Sequence, residues 1–373
     1  MDRSLNCVLM EHLWPMRNLA RLLATDSRRA AAEGDGATAL ANIQTMLGIS
    51  RQNEETPFLI SGLVAISLSN MALETIEHVL SSQQALWSDS QLQELAHTLA
   101  VRDFDVRFWM RGEEACFQDI VQRIYTDNGH GDGHITVEGL RSLNSLVEGS
   151  YWFHESYSPS PHLALPAVYC VFASRSEMLS KYRQVWSQVL ADLDQPMWEI
   201  SAEQSGEQMV QQMSESTDHY RYPLITLLLP AFDALRATVE RGRGNVDGAL
   251  IGIALELYHR KHDAWPESLD ELSPRWLPSV PVDRITGKPV RYVLRYGRPI
   301  VYSVGADRDD DGGRPPEEDK RRTSSYSAAA RWIAEDPHPS VNVPDGDWLL
   351  WPQRDLAADF ALSDANASQT ESP

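Results

Sequence analysis

The hydrophobic pattern of this chain changes in its C-terminal third from a helical repeat to a two-residue alternation, which constrains the fold strongly. Before that point apolar residues recur at spacings of three and four, as Ala39, Ile43 and Leu47 do. Residues 290–294 and 300–304 instead alternate between two faces around a short turn, the pattern of a β-hairpin. The sequence therefore predicts an α+β protein, in which a large, mainly α-helical region precedes a small domain with a helix and an antiparallel hairpin.

The N-terminal part reads as a series of helices. The first two are separated by Glu33–Gly36 and resemble a single tetratricopeptide-like hairpin, but no 34-residue repeat follows. Further helices are predicted at 58–80, from Asp89 or Ser90 to about Val101, and at 178–193 and 206–216. Pro230 should start or kink another helix. These patterns predict a stack of helices rather than a repeat array.

Composition suggests where the chain divides. Of its 53 acidic and 33 basic residues, 14 acidic and 13 basic ones lie in 241–320, so the excess behind the net charge of −20 lies mostly upstream. We predict an α-helical domain at 1–240 with a possible sub-boundary near 127–160, a smaller α+β domain at 241–353 and a disordered tail at 354–373. In the smaller domain a helix from about 247 should end in a turn at His262–Trp265, and Pro266 should open a second, short helix.

The same totals exclude some classes of protein. A net charge of −20 argues against a nucleic-acid partner, because phosphates require a basic surface. The longest apolar stretches are too short or too interrupted to span a membrane, and the first residues make a poor signal peptide. The chain as written is therefore expected to be cytoplasmic, or exported or envelope-associated if the true start lies upstream. Cys7, Cys116 and Cys170 are too widely spaced for a zinc ribbon or a disulfide framework.

Residues 127–139 are a first candidate for a metal site. Asn128, His130 and Asp132 alternate ahead of Gly133, as the ligands of a calcium loop do. Histidine is a poor calcium ligand, and the last position of the loop is Gly139 instead of a bidentate carboxylate. The alternative is a glycine-rich turn that caps a helix.

A second candidate follows the predicted hairpin. Asp307, Asp309, Asp310 and Asp311 would repel one another unless water or a cation neutralises them, and Ser303 should lie close by. The sequence leaves two interpretations open, a calcium site and a solvated acidic loop.

No short catalytic motif is present. The chain has no GxSxG elbow, no phosphate-binding loop and no zincin motif, and Gly242–Gly248 has one residue too many for a dinucleotide loop. An enzyme would need an active site of dispersed acidic and histidine residues. A groove lined by His154, Glu155 and His162 would favour that hypothesis.

The segment at about 247–313 resembles the globular domain of the major pseudopilin of type II secretion systems. The matching residues, in order, are Leu257-Tyr258, Trp265-Pro266, Leu269, Leu272, Pro281, Asp283, 287–289 and 302–307. The resemblance implies a calcium ion held by Ser303, Asp307 and a carboxylate among Asp309, Asp310 and Asp311. The chain lacks the hydrophobic N-terminal helix that builds pseudopilin filaments, so it should not polymerise in that way. It is also similar to uncharacterised bacterial proteins that join a helical region to this domain, often behind a membrane anchor.

These observations favour a non-enzymatic scaffold that binds an unknown protein partner and carries a calcium-stabilised C-terminal module. The alternative hypothesis is a hydrolase with the dispersed site described above. The expected cofactor is Ca²⁺ or none.

Overall fold

The computed structural model describes residues 10–136, 138–139, 172–200, 205–229, 232–295, 297–305, 308–315 and 346–352. Helices make up most of these residues, and the described strands form one small antiparallel sheet near the C-terminus. The predicted α+β class, with a large helical region followed by a small sheet, is confirmed. The predicted tail at 354–373 and most of the possible sub-boundary at 127–160 lie outside the described residues.

The first three helices pack on one another, and the later helices become shorter before one long helix. Their bounds are α1 Leu13–Ala32, α2 Gly36–Glu54, α3 Leu59–Ser82, α4 Asp89–Ala100, α5 Val106–Ile124, α6 Arg175–Leu193, α7 Gly206–Glu215, α8 Asp218–Arg221, α9 Pro223–Leu228 and α10 Phe232–His262. Short 3₁₀ turns lie at Met197–Glu199 and Leu269–Leu272.

Local sequence explains where the first helices begin and end. Gly34 adopts a left-handed conformation (φ +80°) between α1 and α2, and the Asp35 side chain accepts a hydrogen bond from the Thr38 N–H. Helix α4 begins at Asp89, and its N-cap is Ser88 instead of Asp89 or Ser90, the two caps considered from sequence. Ser88 and Gln91 form a reciprocal capping box there, which satisfies two backbone N–H groups.

Helix α10 is longer than the sequence indicates. The prediction that this helix begins at about 247 is wrong, because it starts at Phe232 and continues through Gly242, Gly244 and Gly248. A helix interior normally disfavours glycine by about 1 kcal/mol relative to alanine. Here the glycines let neighbours approach closely, and that tertiary packing offsets the cost. The predicted domain boundary at 240/241 stays a prediction, although residue 240 lies inside this helix.

The sheet is a hairpin extended by a third strand. Strands β1 (Arg291–Arg295) and β2 (Arg298–Ser303) pair antiparallel, with Arg291 opposite Tyr302, as the alternation predicts. Strand β3 (Trp348–Trp351) pairs antiparallel with β2 on its other side, with an irregularity between Val301 and Tyr302. Pro266 does not open a helix as predicted. Ser268 instead caps the 3₁₀ turn at Leu269–Leu272, with Glu271 completing the capping box.

Two large hydrophobic clusters hold these elements together. One joins α1–α4 to the C-terminal half of α10, the 3₁₀ turn at 269–272 and the inner face of the sheet. The other joins part of α3 and helices α5, α6, α7 and α9 to the first residues of α10, and it contains the stacked rings of Phe117 and Tyr182, 3.8 Å apart. The C-terminal module is therefore part of the same core as the first helical hairpins. Cys116 is buried and unpaired.

Among the described residues, one helix is long and apolar enough to cross a membrane. This is α3, Leu59–Ser82, and two thirds of its most apolar window is buried inside the protein. Its burial against α2, α5 and α10 is that of a core helix.

Candidate metal site

Asp283 connects the proline-rich loop to the end of β2. Its carboxylate is buried and accepts hydrogen bonds from the Ser303 hydroxyl (2.8 Å) and from the backbone N–H groups of Ile285 (2.8 Å) and Val304 (3.2 Å). Its own N–H donates to the Lys288 carbonyl at 2.6 Å. Asp283 therefore has a structural role, because it fixes the end of the strand that leads into the acidic loop.

Replacing Asp283 with alanine is expected to lower the free energy of unfolding by about 3 kcal/mol or more. The variant leaves several buried donors without an acceptor, and each such donor costs about 1–3 kcal/mol. The exposed Asp270, changed to alanine, is the matched control and should shift stability by less than about 0.5 kcal/mol. Urea unfolding of both variants measures the difference, and equal midpoints would show that the Asp283 network contributes little.

The acidic loop folds back toward the sheet after residue 308. Gly312 and Gly313 both adopt left-handed conformations (φ +67° and +79°), which residues other than glycine rarely adopt. Asp310 lies over β1 and β2, where it accepts hydrogen bonds from the Tyr302 hydroxyl (2.9 Å) and lies 3.5 Å from the Arg291 guanidinium. The charge of Asp310 is therefore offset by protein groups.

Asp347, which immediately precedes β3, contacts the end of the acidic loop. It is completely buried, and one of its carboxylate oxygens accepts the Gly313 N–H at 2.6 Å. Burial, and after it the nearby charges of Asp310 and Asp311, raise the pKa of Asp347 to about 6 despite hydrogen bonds from the backbone of Gly313 and Asp311. A carboxylate in this position is destabilised unless a proton or a cation neutralises it.

Two buried carboxylate oxygens at this point have no hydrogen-bond partner. They are Oδ2 of Asp311 and Oδ1 of Asp347. Unsatisfied buried polar atoms are rare and call for a water or an ion, and carboxylate oxygens are the ligands that Ca²⁺ prefers. Within the described part of the chain, no three His, Cys, Asp or Glu side chains converge as a complete metal cage. A hard cation bound to these two oxygens would need backbone carbonyls, water or Asp307 to complete its coordination.

The structure separates the ligands predicted from sequence. Ser303 is buried and donates its hydroxyl to Asp283, Asp309 is exposed, and Asp307 lies outside the described residues. Among the described residues that were predicted as ligands, Asp311 has a buried carboxylate oxygen without a hydrogen-bond partner. Sequence reasoning missed Asp347, more than thirty residues downstream. The available signal was an acidic residue directly before four apolar residues that the structure shows to be buried.

In the loop at 127–134, the side chains of Asn128 and Asp132 accept hydrogen bonds from backbone N–H groups. Asn128 Oδ1 accepts the N–H groups of His130 (2.9 Å) and Asp132 (3.2 Å), which closes a tight turn. Asp132 Oδ1 accepts the N–H groups of Gly133 (2.9 Å) and of Ser176 (3.0 Å) in the first turn of α6. These bonds lower the pKa of Asp132 to about 2. The carboxylate therefore satisfies donors at a helix start, as a cap does.

The groups proposed for a dispersed active site, His154, Glu155 and His162, lie outside the described residues. Where the chain is described, two prominent depressions have volumes of about 100 and 220 Å³. Both are smaller than the cavities that usually bind small molecules. The larger one lies between α5, α6 and α10 and is lined by ion pairs such as Arg243 with Asp103 (3.0 Å).

Comparisons with protein families, curated proteins and solved structures found no match to this chain.

Proposed function

We propose that this protein is a non-catalytic, protein-binding scaffold whose C-terminal module is stabilised by a calcium ion. The observation that carries the proposal is the pair of unsatisfied, buried carboxylate oxygens of Asp311 and Asp347. A cation between the acidic loop and the residue before β3 would neutralise both groups and join two segments that are distant in sequence. The residues described here therefore support a structural role for the ion.

The order of elements also supports a relation to secretion-system pseudopilins. A long helix is followed by a proline-rich loop, a β-hairpin, an acidic loop and a further strand that packs on the helix. As far as the acidic loop, this is the order that the resemblance at 247–313 implies. The large helical region upstream is absent from that family's globular domain, and we propose that it contacts the protein partner.

The proposal is tested by calorimetric titration with CaCl₂ and by thermal melting with and without a chelator. We expect saturable heat with a stoichiometry near one and a higher melting temperature in calcium, because a ligand that binds only the folded state stabilises it. Magnesium should act more weakly, since it demands a small octahedral site.

Two variants locate the site. Asp311→Asn should abolish the calcium response, whereas Asp309→Asn removes the same charge from an exposed position in the same loop and should preserve it. Unchanged melting in millimolar calcium, or an equal loss of response in both variants, would contradict the proposed site.

A further inference from the structure

Helix α1 has an unusual distribution of residues. Its buried side consists mainly of small residues, namely Ala20, Ala24, Ser27, Ala30 and Ala31. Leu13 is buried, but three other large apolar residues, Trp14, Leu19 and Leu22, point to solvent, with 73%, 47% and 69% of their surface exposed. Trp14 and Leu22 are the two most exposed large apolar residues in the described chain. An amphipathic helix of a globular protein normally shows the opposite arrangement.

These exposed side chains share one broad face. Successive helical residues are about 100° apart, which places Leu22 opposite Ala20 and Ala24, with Trp14 and Leu19 on either side of it. Trp14 and Leu22 are two turns apart, so the face extends about 12 Å along the helix. It is the convex surface of a single helix, because α1 packs on α2 and α3 from its other side.

The charge of α1 also differs from that of the rest of the chain. The helix contains four arginines and one aspartate, whereas the whole protein carries a net charge of −20. Arg17 and Arg21 are exposed and form no ion pair with any described residue. At physiological ionic strength charges are screened beyond about 8 Å, so a surface that meets this helix responds mainly to its local positive charge.

We infer that the exposed face of α1 docks on an anionic lipid surface. Tryptophan and leucine beside arginine are typical of helices that lie in the interface of a membrane, with the apolar residues inserted and the cations at the headgroups. A convex face without a groove suits a lipid layer better than a globular protein partner. The inferred docking is peripheral, is separate from the buried helix α3, and does not depend on the calcium site.

The test is co-sedimentation of the full chain with phosphatidylcholine vesicles that contain 30% phosphatidylglycerol, compared with phosphatidylcholine alone. We expect binding to the anionic vesicles that weakens at least tenfold between about 50 and 500 mM NaCl. Trp14→Ser/Leu22→Ser and Arg17→Glu/Arg21→Glu should each reduce it at least tenfold. The control Val101→Ser changes another exposed apolar residue, at the end of α4, and should leave binding unchanged.

All four positions are exposed, so the variants should fold, which circular dichroism checks. No binding to anionic vesicles, or an equal loss in the Val101 variant, would overturn the inference. Concentration-dependent dimers that are abolished by Leu22→Ser, without vesicle binding, would overturn it in favour of a contact between two copies of the chain.

Discussion

Replacing Gly248 with alanine is expected to destabilise the protein by about 2 kcal/mol or more, although alanine is the better helix former. A methyl group at this position would lie 2.2 Å from the Leu350 carbonyl oxygen and 2.7 Å from its carbonyl carbon. Backbone atoms cannot rotate away as a flexible side chain can, so β3 would have to move off α10. That movement would also loosen the packing of Trp348 and Trp351 against the helix.

A matched control separates packing from helix propensity. Gly48 also lies inside a helix, α2, but a methyl group there would meet nothing within 4 Å. Gly48→Ala should therefore stabilise the protein by about 0.5–1 kcal/mol. Denaturant unfolding of the two variants should shift the midpoint in opposite directions. Stabilisation by both substitutions would mean that β3 does not pack tightly against α10.

Replacing Asp347 with asparagine is expected to stabilise the calcium-free protein at pH 7.5 and to remove its response to calcium. Asparagine keeps an acceptor for the Gly313 N–H but has no charge to bury. In the wild type, burial raises the pKa of Asp347 to about 6, so the carboxyl is ionised at pH 7.5 and its buried charge lowers the stability of the folded state. Melting temperatures of both proteins in chelator and in calcium measure the effect.

The dependence of stability on pH follows from the raised pKa of Asp347. Because the pKa of Asp347 is higher in the folded protein than the ordinary 3.8, the folded state binds more protons between these values. This contribution to stability is complete below about pH 4 and is lost as the pH rises through about 6. The difference in stability between Asp347→Asn and the calcium-free wild type should therefore grow over that range.

Calcium should reverse this trend because it binds the deprotonated carboxylate. The increase in melting temperature caused by calcium should be larger at pH 7.5 than at pH 5. A calcium effect that is equal at both values, or that persists in Asp347→Asn, would place the ion elsewhere.

Sequence patterns predicted most of the elements that depend on local interactions. The helix at 58–80, the helices at 178–193 and 206–216 and the hairpin around residue 297 all lie within a few residues of their predicted bounds. In each, the period of the apolar residues and the caps agree with the final structure. The errors are at α10, which begins well before the predicted residue 247, and at Pro266, where a helix start was expected.

The candidate site was only partly predictable from sequence, because its residues come from segments that are distant in the chain. Asp311 belongs to a visible acidic run, but Asp347 follows it by more than thirty residues, and its burial depends on β3 pairing with β2. Ser303 is next to the loop in sequence, yet its hydroxyl points to Asp283, which a separate loop brings to it. Sequence spacing indicates which groups are available, while their orientation depends on contacts between distant segments.

The sequence by itself determined the α+β class, the order of helices before the hairpin and the acidity of the loop, because each follows from residues close together in the chain. Only the tertiary structure decided that α10 continues through its glycines, that β3 packs in the space they leave, and that Asp347 is buried near Asp311. It also decided which side of α1 faces solvent. The physical reason is that burial and close approach depend on neighbours that are remote in sequence, and a local pattern carries no information about them.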